Sequence, residues 1–284
     1  MIETIKKLFW ISRPISWPNT AYPFAAGYIV TGGGIDALFI IGVLYFLGSY
    51  NLLMYGVNDV YDYESDIRNP RKGGIEGMKS QKQFHPTILR AALLTNVPFI
   101  LLLCLFGNPL SGLVLAVLLF FVVAYSLAGL RFKEKPLLDS ITSSIHFVGP
   151  LIYALSLTQV TAGAWPFVVA FFLWGIASHA FGAVQDILPD RAGKLASIAT
   201  YFGGRLTMWF AFVLYVAASV FVIVQGFPYS IIGLAGLLYA VNLIPYLRIN
   251  DKTSKVANRP WRRFIWLNLF TGFVVTLVLI LNSF

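Results

Sequence analysis

Charge is what this 284-residue chain has least of: Asp, Glu, Lys and Arg together make up 12%, where soluble domains carry about 25%. A deficit of that size excludes a water-facing surface over most of the chain, and with 58% hydrophobic residues and a mean hydropathy of +0.75 the bilayer becomes the expected solvent. Cysteine is nearly absent. The single Cys104 excludes an internal disulfide, says nothing of redox compartment, and reads as a small core residue inside an apolar run. A cleavable signal is not expected either. Met1–Pro14 holds charges but no compact apolar stretch ending in small residues, so the first span should remain in the mature protein.

What is there in quantity is long apolar sequence. A spanning helix takes about 20 mostly apolar residues, and nine runs qualify: 17–33, 36–56, 89–106, 109–128, 138–157, 164–182, 206–225, 229–247 and 264–282. The expected fold is an all-α integral membrane protein forming one domain over 1–284. Pro18 and Pro23 interrupt the first run, while the fifth carries Ser140, Thr142, Ser143, Ser144 and His146. Polar side chains of that kind face a helix bundle, not lipid.

The few charges are distributed unevenly. All 21 Lys and Arg residues fall before the first run or around the connections that follow the even-numbered runs. The remaining connections, around Gly32–Asp36, Gly107–Asn108, Thr158–Gly163 and Gly226–Pro228, contain none. The positive-inside rule then puts the N-terminus in the cytoplasm and the C-terminus outside, in a multi-pass cell membrane protein. Net charge of +9 on a soluble chain would suggest nucleic acid; topology explains it here, and no nucleic-acid partner is expected. Of twelve acidic residues only Asp36 lies on the external side. Function should therefore be organised from the cytoplasmic face.

Two acidic motifs stand on that face. After the second run Asn58, Asp62 and Asp66 recur every fourth residue and would line one side of a helix; after the sixth, Asp186 and Asp190 repeat the spacing. Like charges at i, i+4 repel, so two such pairs at matching ends of matching spans ask for a cation. Carboxylates and an amide oxygen form a hard donor set suited to Mg²⁺, which typically keeps water and binds substrate phosphate oxygens as well. Taken singly, either motif reads equally well as solvated acids near a helix end. Asp59 and Glu64 point to other faces and are expected to be solvated. Arg13, Arg68, Lys72, Arg131, Lys133, Arg191 and Lys194 are candidate phosphate donors, although the topology rule places basic residues there whatever the function.

These motifs, Asn-x-x-x-Asp-x-x-x-Asp after the second span and Asp-x-x-x-Asp after the sixth, resemble those of UbiA-type intramembrane prenyltransferases over nearly the whole chain. Further matches are Arg13-Pro14 before the first span and Tyr125-Ser126 with Arg131-Phe132-Lys133 after the fourth. The resemblance implies a ring of nine helices around a cavity open to lipid, with two Mg²⁺ ions, for which Mn²⁺ can substitute, bridging the carboxylates to an isoprenyl diphosphate. It gives Tyr125 a catalytic role and Ser126 a place beside the diphosphate. Stretches 58–77 and 179–186 are similar to the lycopene elongase branch, which implies dimethylallyl diphosphate as donor and lycopene, a bilayer-dissolved hydrocarbon, as acceptor. Within that branch reading, His179, Gln185 and His146 are acceptor or specificity candidates. An aromatic quinone precursor, a tetrapyrrole or a glycerophosphate lipid is the alternative acceptor, and a transporter the alternative class. No protein partner is implied.

Overall fold

The computed structural model describes residues 2–63, 67, 80–159 and 162–282, and everything described is helix, turn or connection. The helices are α1 (Ile2–Ile11), α2 (Pro18–Val30), α3 (Ala37–Leu44), α4 (Tyr50–Tyr61), α5 (His85–Phe106), α6 (Pro109–Ser126), α7 (Leu138–Leu157), α8 (Trp165–Val184), α9 (Ile187–Ala192), α10 (Ile198–Ile223), α11 (Ser230–Leu243) and α12 (Asn258–Leu281). Each apolar run of the sequence coincides with a helix. Seven helical segments are long and apolar enough to cross a bilayer, among them Ala37–Tyr61, where α3 and α4 run together through a π-helical turn at Tyr45–Ser49. The chain is thus a multi-pass membrane protein. Two runs give shorter helices: α2 has 13 residues, about 20 Å at the helical rise against a hydrocarbon core of about 30 Å, and Ser230–Tyr246 is also short.

The chain divides into two compact units. The first comprises Met1–Phe132 and Ile145–Thr161, the second Lys133–Ser144 and Ala162–Phe284, so the division falls within α7. In the first unit Phe24, Tyr28, Tyr45, Phe46, Tyr50 and Tyr153 form a buried aromatic core. The π turn beside them frees backbone carbonyls, which no water is present to satisfy. Asn51 Nδ2 donates to the carbonyls of Phe46 and Leu47 at 2.7 and 3.2 Å, Thr20 Oγ1 to Phe46 at 2.7 Å, and Asn96 Nδ2 to Ser49 at 2.8 Å. Asp36 caps α3 through the Phe39 N–H at 2.8 Å and accepts from the Tyr28 hydroxyl at 3.0 Å.

The second unit is built on α8 and α10 and closed by stacked rings. Tyr215 lies on Tyr239 with centroids 5.3 Å apart, and Trp261 on Phe264 at 5.0 Å. Ser144 packs against Gly175, where any side chain would collide with it, and donates to the Phe172 carbonyl at 2.7 Å. Burial of Ser140, Thr142, Ser144 and His146 agrees with the bundle-facing reading of the fifth span. Cys104 departs from expectation: it is exposed on α5 among exposed Leu101, Leu102 and Leu105. Most of that helix turns outward, so an apolar position there meets lipid and not core.

Candidate functional site

The first acidic motif lies where α4 ends. Asp62 terminates the helix, its N–H still bonded to the Asn58 carbonyl at 2.9 Å. Asn58 Nδ2 donates to Asp62 Oδ2 at 2.7 Å and to Ser126 Oγ, at the end of α6, at 3.1 Å. The shared face predicted for Asn58 and Asp62 is therefore formed, and Ser126 joins it. Arg131, just beyond α6, reaches the Tyr61 carbonyl at 3.4 Å and Asp62 Oδ1 at 3.9 Å. Asp66, Arg68 and Lys72, as well as Glu64, lie outside the described residues. Tyr125 meets the His146 ring edge-on at 5.1 Å; His146 Nε2 is 3.4 Å from the Phe121 carbonyl, and its own carbonyl accepts from Tyr50 at 2.9 Å.

One residue is corrected. Asp59 is not solvated: its side chain is 1% exposed and accepts from Arg13 Nη2 at 2.7 Å. The Arg13 guanidinium lies 4.3 Å from the Tyr55 ring centroid. Helical spacing put Asp59 on a different face from Asp62, which is right, but that face is covered by the segment following α1 instead of water. Sequence held a faint signal, since Arg13 is the only basic residue from the end of α1 to the end of α4. Pairing across 46 positions is a tertiary fact.

In the second unit α8 passes into α9 through a turn at Gln185–Asp186, and the Asp190 N–H bonds the Asp186 carbonyl at 2.9 Å. Asp186 and Asp190 are both half-buried. Lys133 is near enough to Asp190 to feel its charge; burial nevertheless pushes its ammonium down to about 8, with Glu134 and Asp190 opposing the shift. Arg191 turns elsewhere, onto Asp251 Oδ2 at 2.7 Å and the Thr200 carbonyl at 3.0 Å. Asp251 in turn accepts from the Gly204 N–H at 2.7 Å, beside Gly203 at φ 79°, where α10 kinks. Gln185 is buried, its Oε1 accepting from Asn258 at 2.8 Å, while its Nε2 has no partner.

Backbone strain coincides with the candidate phosphate donors. Among the described residues the non-glycine positions with positive φ are Arg13 (52°), Arg131 (38°), Leu137 (72°) and Lys194 (57°). Glycine fits such post-helical positions at no steric cost. Three of the four are basic side chains that follow a helix, in a region that costs a non-glycine residue energy.

A buried polar cluster forms around Asp139, an acid that the sequence reading did not single out. Asp139, at the start of α7, is wholly buried and accepts from the Ile198 N–H at 2.6 Å, the Ser140 N–H at 2.6 Å and Ser140 Oγ at 3.2 Å. Ser140 Oγ also lies 3.0 Å from His179 Nδ1. An acid in a helix's first turn looks like a solvated dipole partner, so nothing in the local sequence marks this one as buried.

Comparison with known proteins bears on the whole chain. The UbiA prenyltransferase family pattern matches residues 20–269. A lycopene elongase/hydratase of Corynebacterium glutamicum is 46% identical over 282 residues, 99% of this chain and 98% of that protein. The C(50) beta-cyclic carotenoids biosynthesis protein LbtBC of Dietzia sp. (strain CQ4) is 48% identical over 276 residues, which are 96% of this chain and 64% of that longer protein. A solved UbiA homolog from Archaeoglobus fulgidus, bound to DMAPP and Mg²⁺, shares the fold with a TM-score of 0.66 at 18% identity, over 94% of this chain and 99% of that one. The chain accordingly belongs to the UbiA prenyltransferase family, in its lycopene elongase branch, and is an enzyme that transfers prenyl groups.

Proposed function

We propose that this enzyme transfers a dimethylallyl group from dimethylallyl diphosphate to lycopene in a Mg²⁺-dependent reaction of long-chain carotenoid synthesis. The observation that carries the reading is 46% identity, sustained over 99% of the chain, with a relative named lycopene elongase/hydratase. Nine crossings, with the reacting face in the cytoplasm of a plasma-membrane protein, follow from the one-sided placement of all 21 basic residues.

The donor set fits magnesium. The candidate ligands are those of the two sequence motifs. Asp62, Asp186 and Asp190 are carboxylates, and Asn58, with Nδ2 committed to Asp62 and Ser126, offers its carbonyl oxygen. Asp66 completes the first motif in the sequence. Two Mg²⁺ ions, or Mn²⁺ in their place, would neutralise the charge that develops on the departing pyrophosphate. Lys133 and Arg131 supply positive charge beside Asp190 and Asp62 respectively, and Arg13, Arg68, Lys72, Ser126, Arg191 and Lys194 are the further candidates for the diphosphate. The allylic cation requires a dry apolar surrounding with aromatic faces, a role for which Tyr125 is placed by the motif it belongs to. Lycopene has no polar handle, so shape and apolar area must hold it.

Membranes containing the protein should convert lycopene when given labelled dimethylallyl diphosphate and Mg²⁺, lose the activity in EDTA, and leave 4-hydroxybenzoate untouched. Prenylation of an aromatic acid or a glycerophosphate lipid, with lycopene unchanged, would overturn the acceptor and leave the family.

A further inference from the structure

Six of the 21 basic residues fall between Arg248 and Arg263, immediately ahead of the apolar length of α12, and the one acid among them, Asp251, is paired with Arg191. All six are exposed, and none of them forms an ion pair among the described residues. We propose that the outer face of the first turns of α12, where Arg259, Arg262 and Arg263 stand above Trp266, binds the headgroup of an anionic phospholipid whose acyl chains lie along the helix below.

Packing and helical spacing divide α12 into two faces. On one, Asn258 donates to Gln185 Oε1 at 2.8 Å, the Pro260 carbonyl accepts from Asn242 Nδ2 at 2.9 Å, and the Trp261 ring lies 5.4 Å from that of Phe181. Phe264 is buried, and Asn268 Oδ1 accepts from the Tyr239 hydroxyl at 2.9 Å. Those contacts commit that side of the helix to protein. At about 100° per residue Arg259, Arg262, Arg263 and Trp266 gather on the opposite side, and Phe270 and Phe273 continue it. Every one of these is exposed.

Order along the axis points to the kind of partner. At the helical rise Trp266 stands about 7 Å below the middle of the arginines, and Phe273 about 10 Å lower again. Guanidinium, indole and hydrocarbon thus follow one another in the order in which a phospholipid presents phosphate, ester and acyl chain. Arginine binds phosphate oxygens in bidentate fashion, and tryptophan favours the headgroup boundary. The positive-inside bias accounts for basic residues in this connection, but it counts charges and asks for no common face. A basic cluster of this size beside a span attracts anionic lipid. A water-soluble phosphate would use the arginines alone; Trp266, 72% exposed, and the apolar residues under it complete a site only for an amphiphile.

The test titrates the purified full-length protein in detergent with phosphatidylglycerol, using phosphatidylcholine of the same acyl chains as the reference. Native mass spectrometry counts the bound lipid. The wild type should prefer phosphatidylglycerol, and its melting temperature should rise by about 3–6 °C at saturation. Replacing all three residues, Arg259→Gln with Arg262→Gln and Arg263→Gln, should weaken that lipid about a hundredfold, about fivefold per arginine, and abolish the rise. Arg262→Gln alone should lose about fivefold, which keeps the test open if the triple variant inserts poorly. Lys6→Gln with Lys7→Gln and Arg90→Gln removes the same charge elsewhere and should keep both preference and rise. Equal binding of the two lipids by the wild type overturns the proposal, as does an equal loss of preference in the Lys6, Lys7 and Arg90 variant. Stabilisation by sodium pyrophosphate that disappears with the three arginines would also overturn it, by assigning the face to a water-soluble phosphate.

Discussion

Asp62 and Asp186 open equivalent i, i+4 motifs, yet the chain builds different surroundings for them. Asp62 is buried, tied to Asn58, near Arg131 and next to a second buried ion pair, Arg13–Asp59. Asp186 and Asp190 are half-buried and shaped by the backbone turn between α8 and α9, and the neighbouring Arg191 is drawn off to Asp251. The first motif is the more deeply buried of the two. Changes around Asp62 should therefore disturb stability as well as chemistry, whereas changes around Asp186 should weigh more on chemistry.

The largest effect tests what the halves share. Asp62→Ala and Asp186→Ala should each lower turnover by on the order of 10³-fold or more, with membrane levels unchanged for Asp186→Ala. A variant of either aspartate retaining a tenth of the activity would remove that residue from the metal set.

Next comes the difference itself. Asp59→Ala leaves the Arg13 guanidinium with its buried partner gone, which should cost about 3–5 kcal/mol, read as a fall in melting temperature in detergent. The double change Asp59→Leu with Arg13→Met should recover much of that loss, since it removes both charges. Equal melting for Asp59→Ala and the wild type would mean that the first half is not held by this pair.

A smaller loss is expected in the second half. Gly203 sits at φ 79° and ψ 162°, a region that is essentially glycine-only, and a Cβ there would approach Asp251 Oδ1 at 3.1 Å. Gly203→Ala should cost about 1–3 kcal/mol. Asp251→Asn, which keeps an acceptor for the Gly204 N–H, should cost less.

The smallest effect is on pH dependence. Lys133 is held down to about 8 by burial, so its positive charge is present below that pH and lost above it. The KM for the diphosphate donor should rise as pH passes upward through about 8. In Lys133→Arg, where the charge persists, the rise should vanish; an unchanged alkaline limb would assign it to another group.

How much of this was legible depended on range. The pairing of Asn58 with Asp62 follows from helical spacing, because residues four apart meet on any helix, and the spans follow from bilayer thickness. The burial of Asp59 was not legible, since its partner Arg13 lies 46 residues away and reaches it from a left-handed position. Asp139 looked like an ordinary first-turn acid until α10 brought the Ile198 N–H to it from 59 residues on. Cys104 sits in a run as apolar as its neighbours, and hydropathy cannot say whether such a position meets protein or lipid.

Composition and the long apolar runs alone determined the solvent and the helical class, because each depends on residue type or short-range spacing. Tertiary structure alone decided which charges are buried and which polar groups meet, as where Asp139, Ser140 and His179 come together. Those depend on which helix faces meet, and in a bilayer an apolar face fits lipid and a neighbouring helix almost equally well, so the local pattern carries too little energy difference to choose.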